Sequence, residues 1–91
     1  MNDLPKTKAE AVEELLSSLT NGQIEEIAAM KKEDLICMHH GLGTHIRNSM
    51  GLWQKNYDLL TDCCKEEELH PDTASMKIIE AAWEELKKQG F

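Results

Sequence analysis

The sequence predicts an all-α fold, a small single-domain bundle of four to five helices spanning residues 1-91. Three observations predict it. Apolar residues recur at three- and four-residue spacing through most of the chain, helix starts and stops punctuate that pattern, and no stretch alternates as a half-buried strand would. A chain of 91 residues buries roughly two thirds of the surface its unfolded form exposes, which leaves room for one core.

Thr7 and Glu10 have the spacing of a capping box, and Val12, Leu15, Leu16 and Leu19 follow on one face before Thr20-Asn21-Gly22 stops a first helix. Gln23 to Met30 gives a short second helix through Ile24, Ile27 and Ala28, with Lys31-Lys32 placed at its negative end. Glu33-Asp34 suits the first turn of a third helix, whose stripe is Leu35, Met38, Leu42 and Ile46 and whose end is Gly51. A left-handed glycine there folds Leu52 back on Ile46 and sends Trp53 into the core, with Asn48 available to tie the loop. Asn56 and Tyr57-Asp58-Leu59-Leu60 make a short fourth helix, with Glu66-Glu67-Glu68 as its solvated tail or a loop. His70-Pro71-Asp72 starts the last: proline fits the first helical position and the aspartate its positive end. Ser75, Ile78, Ile79, Ala82, Trp83 and Leu86 form the inner face, and Gly90 lies beyond the end.

Seventeen acids against ten bases give a net charge of -7, a sign that disfavours direct nucleic-acid binding, which runs on clustered lysine and arginine. No apolar run approaches the ~18 residues of a membrane span. The opening MNDLPKTK lacks an apolar signal region and the cysteines number three, so a reducing cytoplasm is the expected compartment. The acidic pairs read first as solvated helix faces, and they also allow a partner with a basic surface. A homodimer is equally compatible with this composition.

The segment HHGLGTHIRNSMGLW, residues 39–53, carries the main clue. His39, Gly43 and Arg47 are four residues apart, so a continuous helix stacks them on one face, and each interior glycine costs about 1 kcal/mol against alanine. A close neighbour must therefore favour bare backbone. A break at Gly41-Leu42-Gly43 would instead make Thr44 a cap and expose amides able to hold an anion. Arg47 is the only arginine among ten cationic residues, and its planar fork suits a bidentate carboxylate or phosphate. It either braces the fold, against Asp72, Asp58 or a helix C-terminus, or captures a ligand. Cys37, His40 and His45 do not reproduce zinc-site spacing and no HExxH occurs, so no metal and no cofactor is expected. Cys37, among apolar neighbours, reads as an inert core thiol.

Together LICMHHGLGTHIRNSMGLW and HPDTASMKIIEAAWEEL resemble an uncharacterised family of small bacterial proteins. Its pattern runs His, Gly-Leu-Gly, Ile-Arg-Asn, Gly-Leu-Trp, then His-Pro-Asp, Ala-Ser and a closing Trp. The resemblance covers roughly residues 34 to 86, matches at His39, Gly41, Gly43, Arg47, Asn48, Trp53, His70, Asp72 and Trp83, and departs at Met38 and His40, where aromatics are usual. It implies that these segments form one unit and carries no chemistry.

In a bundle the start of the last helix lies beside the third, which brings His39, Gly43, Arg47, Asn48, His70 and Asp72 together as the candidate site. With no recognisable catalytic set, the expected function is not an enzyme. It is an acidic protein-interaction module that binds and modulates another protein, as an adaptor, an immunity protein or a phage-type inhibitor of a defence or nucleic-acid-handling enzyme. The alternative is an anion or nucleotide binder using the His39-Gly43-Arg47 face.

Overall fold

The computed structural model describes residues 4–53, 56–64 and 70–90, and of His39 and His40 the backbone alone. Thr7 caps α1, Lys8–Ser18, by accepting from the Glu10 amide at 3.1 Å. The reciprocal arm lands one residue early, because Glu10 Oε1 accepts from the Lys6 amide at 2.9 Å. Thr20-Asn21-Gly22 proves to be a start, not a stop. Leu19 turns extended and ends α1, and Thr20 and Gln23 then form a full capping box for α2, Asn21–Ala29. A threonine oxygen serves the open amides of a new helix better than it ends an old one.

The far end of α2 is closed from a distance. Trp83 Nε1 donates to the Met30 carbonyl at 2.9 Å and Lys87 Nζ donates to that of Ala28, so a remote cation meets the negative helix end. The expected Lys31-Lys32 pair does not do this. Lys32 is exposed and pairs with Glu84 at 3.3 Å.

The third segment is unbroken but not uniform. A 3-10 stretch, Lys32–Met38, passes into a π turn, His39–Gly43, and then into α3, Thr44–Ser49. Gly43 (φ -59°, ψ -43°) and Thr44 (φ -62°, ψ -43°) are both right-handed helical. Thr44 is therefore not a cap, and the amides before it are not an open anion cradle. Taking the 3-10 stretch as one helix and the π turn with α3 as another, the described residues hold six helices and no strand. The sequence indicated four to five, and the change of helix type is what splits its third element. Three residues per turn also explain the exposure of Cys37: Leu35 and Met38 share the inner face, while Ile36 and Cys37 point away from it. Cys37 is thus not the core thiol its neighbours suggested.

Gly51 closes α3 at φ 71°, and the Leu52 amide donates to the Arg47 carbonyl at 3.1 Å, the 6→1 bond of a Schellman end. Leu52 is buried as expected. Trp53 is not: it stands 56% exposed, because the corner is tied elsewhere. Asn56 Nδ2 donates to the carbonyls of Met50 and Pro5, both at 2.9 Å, which is the role expected of Asn48. The α4 helix, Tyr57–Cys64, buries Leu59, Leu60, Cys63 and Cys64. The Glu66-Glu67-Glu68 run falls outside the described residues.

The α5 helix, Pro71–Lys88, is the central strut, packing against α1 to α4 and the 3-10 and π segments. Pro71 opens it and Gly90 follows it at φ 92°. Ala74, Ser75, Ile78, Ile79, Ala82 and Leu86 are buried along one face, while Trp83 is only half-buried. Leu15, Ile27, Leu35, Ile46 and Leu59 close on that face from the other helices. Each fully buried aliphatic stabilises by about 1.5–3 kcal/mol. Among the described residues no helix is long and apolar enough to cross a membrane.

Candidate functional site

The site is assembled where the start of α5 crosses the π turn and α3. Arg47 is 94% buried in the sense that 6% of its surface remains exposed. Such a charge needs partners, since burying an ion without them costs several kcal/mol. Nη1 donates to Ser75 Oγ and Nη2 to Thr44 Oγ1, each at 3.0 Å. Asp72 Oδ1 stands 3.4 Å from Nη1, so the expected Arg47–Asp72 brace is present. The Asp72 side chain keeps 44% of its exposure, which lets water share the carboxylate. The indole of Trp53 lies over the guanidinium, 5.9 Å from centroid to Cζ, at cation–π range.

The question of what favours bare backbone at Gly43 has an answer within the chain. A Cβ there would sit 3.0 Å from Arg47 Nη1 and 3.6 Å from both Ser75 Oγ and the Met38 carbonyl. The bare position lets α5 and the folded-back arginine come close. At Gly41 a Cβ would meet nothing within 4 Å, so the two glycines of one motif serve different ends.

His70 is exposed and caps α5: Nδ1 accepts from the Asp72 amide at 3.1 Å. An imidazole accepting at Nδ1 carries its proton on Nε2. Asp72 Oδ2 lies 4.0 Å from Nδ1. Gly43, Arg47, His70 and Asp72 are thus brought together. Asn48 is exposed and is not among the groups holding the guanidinium, and the side chain of His39 lies outside the described residues.

Sequence reasoning missed three members: Ser75, Thr44 and Trp53. Ser75 carried a signal, for a hydroxyl on an apolar helix stripe must find a partner. It has two, accepting from Arg47 and donating to the Asp72 carbonyl at 2.9 Å. Thr44 carried one too, standing three residues before Arg47 on α3; Trp53 gave none.

A family model described as a domain of unknown function, DUF6794, matches residues 4–86. The chain belongs to that family. No curated protein and no solved structure matches it. Within the matched span of this DUF6794 domain lie every member of the Arg47 cluster and both tryptophans. Among the described residues no three His, Cys, Asp or Glu side chains gather as a metal-holding group. Among the described residues the cluster places an exposed indole over a buried, hydrogen-bonded guanidinium.

Proposed function

We propose that this DUF6794 domain is a protein-interaction module that binds and modulates another protein, and that Trp53 anchors the contact. The observation that carries this reading is an indole more than half exposed yet seated on a buried guanidinium. Rigid aromatic anchors of this kind dominate binding energy at interfaces, and an ordered one forfeits little entropy on contact. Around it stand further apolar groups. Asp72, which holds Arg47, also lines a shallow hollow of about 340 Å³ with Ile36, Thr73, Met76 and Lys77, and Ile36 is 61% exposed. Asp72 and Glu80 outnumber Lys77 in that hollow, and the charge of -7 likewise favours encounter with a basic surface.

The anion-binding alternative has less support. The guanidinium an anion would require already serves Ser75, Thr44 and Asp72.

The test is affinity capture from a lysate of the source cell at micromolar bait, comparing the native protein with Trp53→Ala. One stoichiometric protein is expected with the native bait, with capture lowered at least tenfold by the substitution while helicity and unfolding midpoint are retained. Failure to retain any protein, or equal capture by both baits, would dismiss the reading.

A further inference from the structure

A second hollow, of about 500 Å³, opens between the end of α1, the α2 helix and the π turn. Its volume falls in the range of small-molecule sites. Leu19, Ile27, Met38 and Leu42 give it an apolar bed, and Gly41 forms part of the wall. The glycine is unexplained by the fold itself. Its backbone is helical rather than left-handed, a Cβ would meet nothing within 4 Å, and alanine would serve the helix better. What the missing side chain leaves clear is the hollow. The π turn is a further departure from the lowest-energy helix, of a kind frequent at functional sites.

The polar lining indicates the class of ligand. Gln23, Cys37 and His45 offer hydrogen bonds, and Glu26 is the one carboxylate or ammonium group among the described lining residues. A carboxylate beside an apolar bed favours an opposite charge carried on an apolar body, and the acidic chain as a whole attracts cations. We propose that this hollow is a binding site for a small organic cation, with the apolar body on Leu19, Met38 and Leu42 and the ammonium or amidinium head toward Glu26. The site uses none of the residues assigned to partner contact, so it stands or falls apart from the Trp53 reading.

Phenethylamine is a suitable probe, with 2-phenylethanol and phenylacetate as the neutral and anionic counterparts. In amide-resolved NMR titrations the amine is expected to give saturable shifts at Leu19, Ile27, Gly41, Leu42 and His45, binding at least tenfold more tightly than either counterpart. Glu26→Gln should bring amine and alcohol to parity, and Gly41→Leu should abolish both while the unfolding midpoint holds. Should Gly41→Leu not fold, Cys37→Phe fills the same hollow from its exposed rim. Alkylation of Cys37 should slow in proportion to occupancy by the amine. The absence of saturable shifts, equal binding of alcohol or carboxylate by the native protein, or indifference to the filling substitution would each overturn the assignment.

Discussion

Replacing Arg47 with alanine should be the most damaging single change at the site, and its cost can be worked from the contacts. Among the described residues two hydrogen bonds from the charged donor are lost, to Ser75 and Thr44, worth about 1.5–3 kcal/mol each. The ion pair adds less, about 0–1 kcal/mol, because the Asp72 side chain is 44% exposed and water screens it. Against these stands about 2 kcal/mol of arginine rotamer entropy no longer lost on folding. The net cost is about 3 kcal/mol. At roughly 4–8 °C per kcal/mol for a domain of this size, the Tm should fall by roughly 12–24 °C. Asp72→Asn should cost about 1 kcal/mol or less, and Arg47→Lys should fall between, since a point charge cannot reach both hydroxyls as a fork does. Urea unfolding followed by circular dichroism gives the order, and indole emission should change with Arg47 because Trp53 lies over it. If Asp72→Asn proved as costly as Arg47→Ala, the two hydroxyls would not be what holds the guanidinium, and the assignment of its energy would be refuted.

Three further outcomes are expected. Gly51→Ala should destabilise by about 1–2 kcal/mol in urea titration, since φ is 71° and the added carbon would lie 2.6 Å from Leu4 Cδ1, a side chain that can move while the backbone cannot. Gly41→Ala should stabilise by up to about 1 kcal/mol; Gly43→Ala should fall at least ~1 kcal/mol short of it, because its carbon meets Arg47 Nη1 at 3.0 Å. The cysteines should behave unequally. Exposed Cys37 reacts with iodoacetamide at neutral pH while buried Cys63 and Cys64 wait for unfolding. Burial, with Cys64 and Asp62 nearby, pushes the Cys63 thiol from 9.0 up to about 12 despite an opposing pull from Lys8. Its folded form thus holds a proton that the unfolded chain releases near pH 9, so this contribution is complete below pH 9 and is lost as pH rises toward 12. The urea midpoint should fall across that window, and less steeply in Cys63→Ala.

Local chemistry made most of the helices legible. Thr7, Pro71, Gly51 and Gly90 each mark a boundary through a cap, a fixed φ or a left-handed turn, and the structure puts helix ends beside all four. The Arg47–Asp72 contact was also legible, from one arginine and one helix start that must lie side by side in a bundle. The rest depended on long-range competition. Thr20 is the exception: its capping box with Gln23 is a local spacing that the reading of a stop passed over. Lys87 and Trp83 reach α2 across more than fifty residues of sequence, a distance no local pattern encodes. Four-residue spacing took His39, Gly43 and Arg47 as one α-helical stack: Gly43 and Arg47 do lie together, a Cβ at Gly43 standing 3.0 Å from Arg47 Nη1, whereas the backbone from His39 to Gly43 is a π turn. Trp53 was read as core because tryptophan usually is; the tie from Asn56 to Pro5 and Met50 turns its chain outward.

The turn at His39–Gly43 makes this stretch tolerant of chain length in a particular way. A turn closing i→i+5 holds one residue more than a turn closing i→i+4, so dropping a single amino acid there would leave an ordinary α-helix that still spans the gap. Five residues of the wider turn sweep nearly the same angle as four of an α-helix at about 100° each, so the side chains downstream would keep their faces relative to the elements before it. The turn thus takes up one extra amino acid without changing the faces that Arg47 and His45 present.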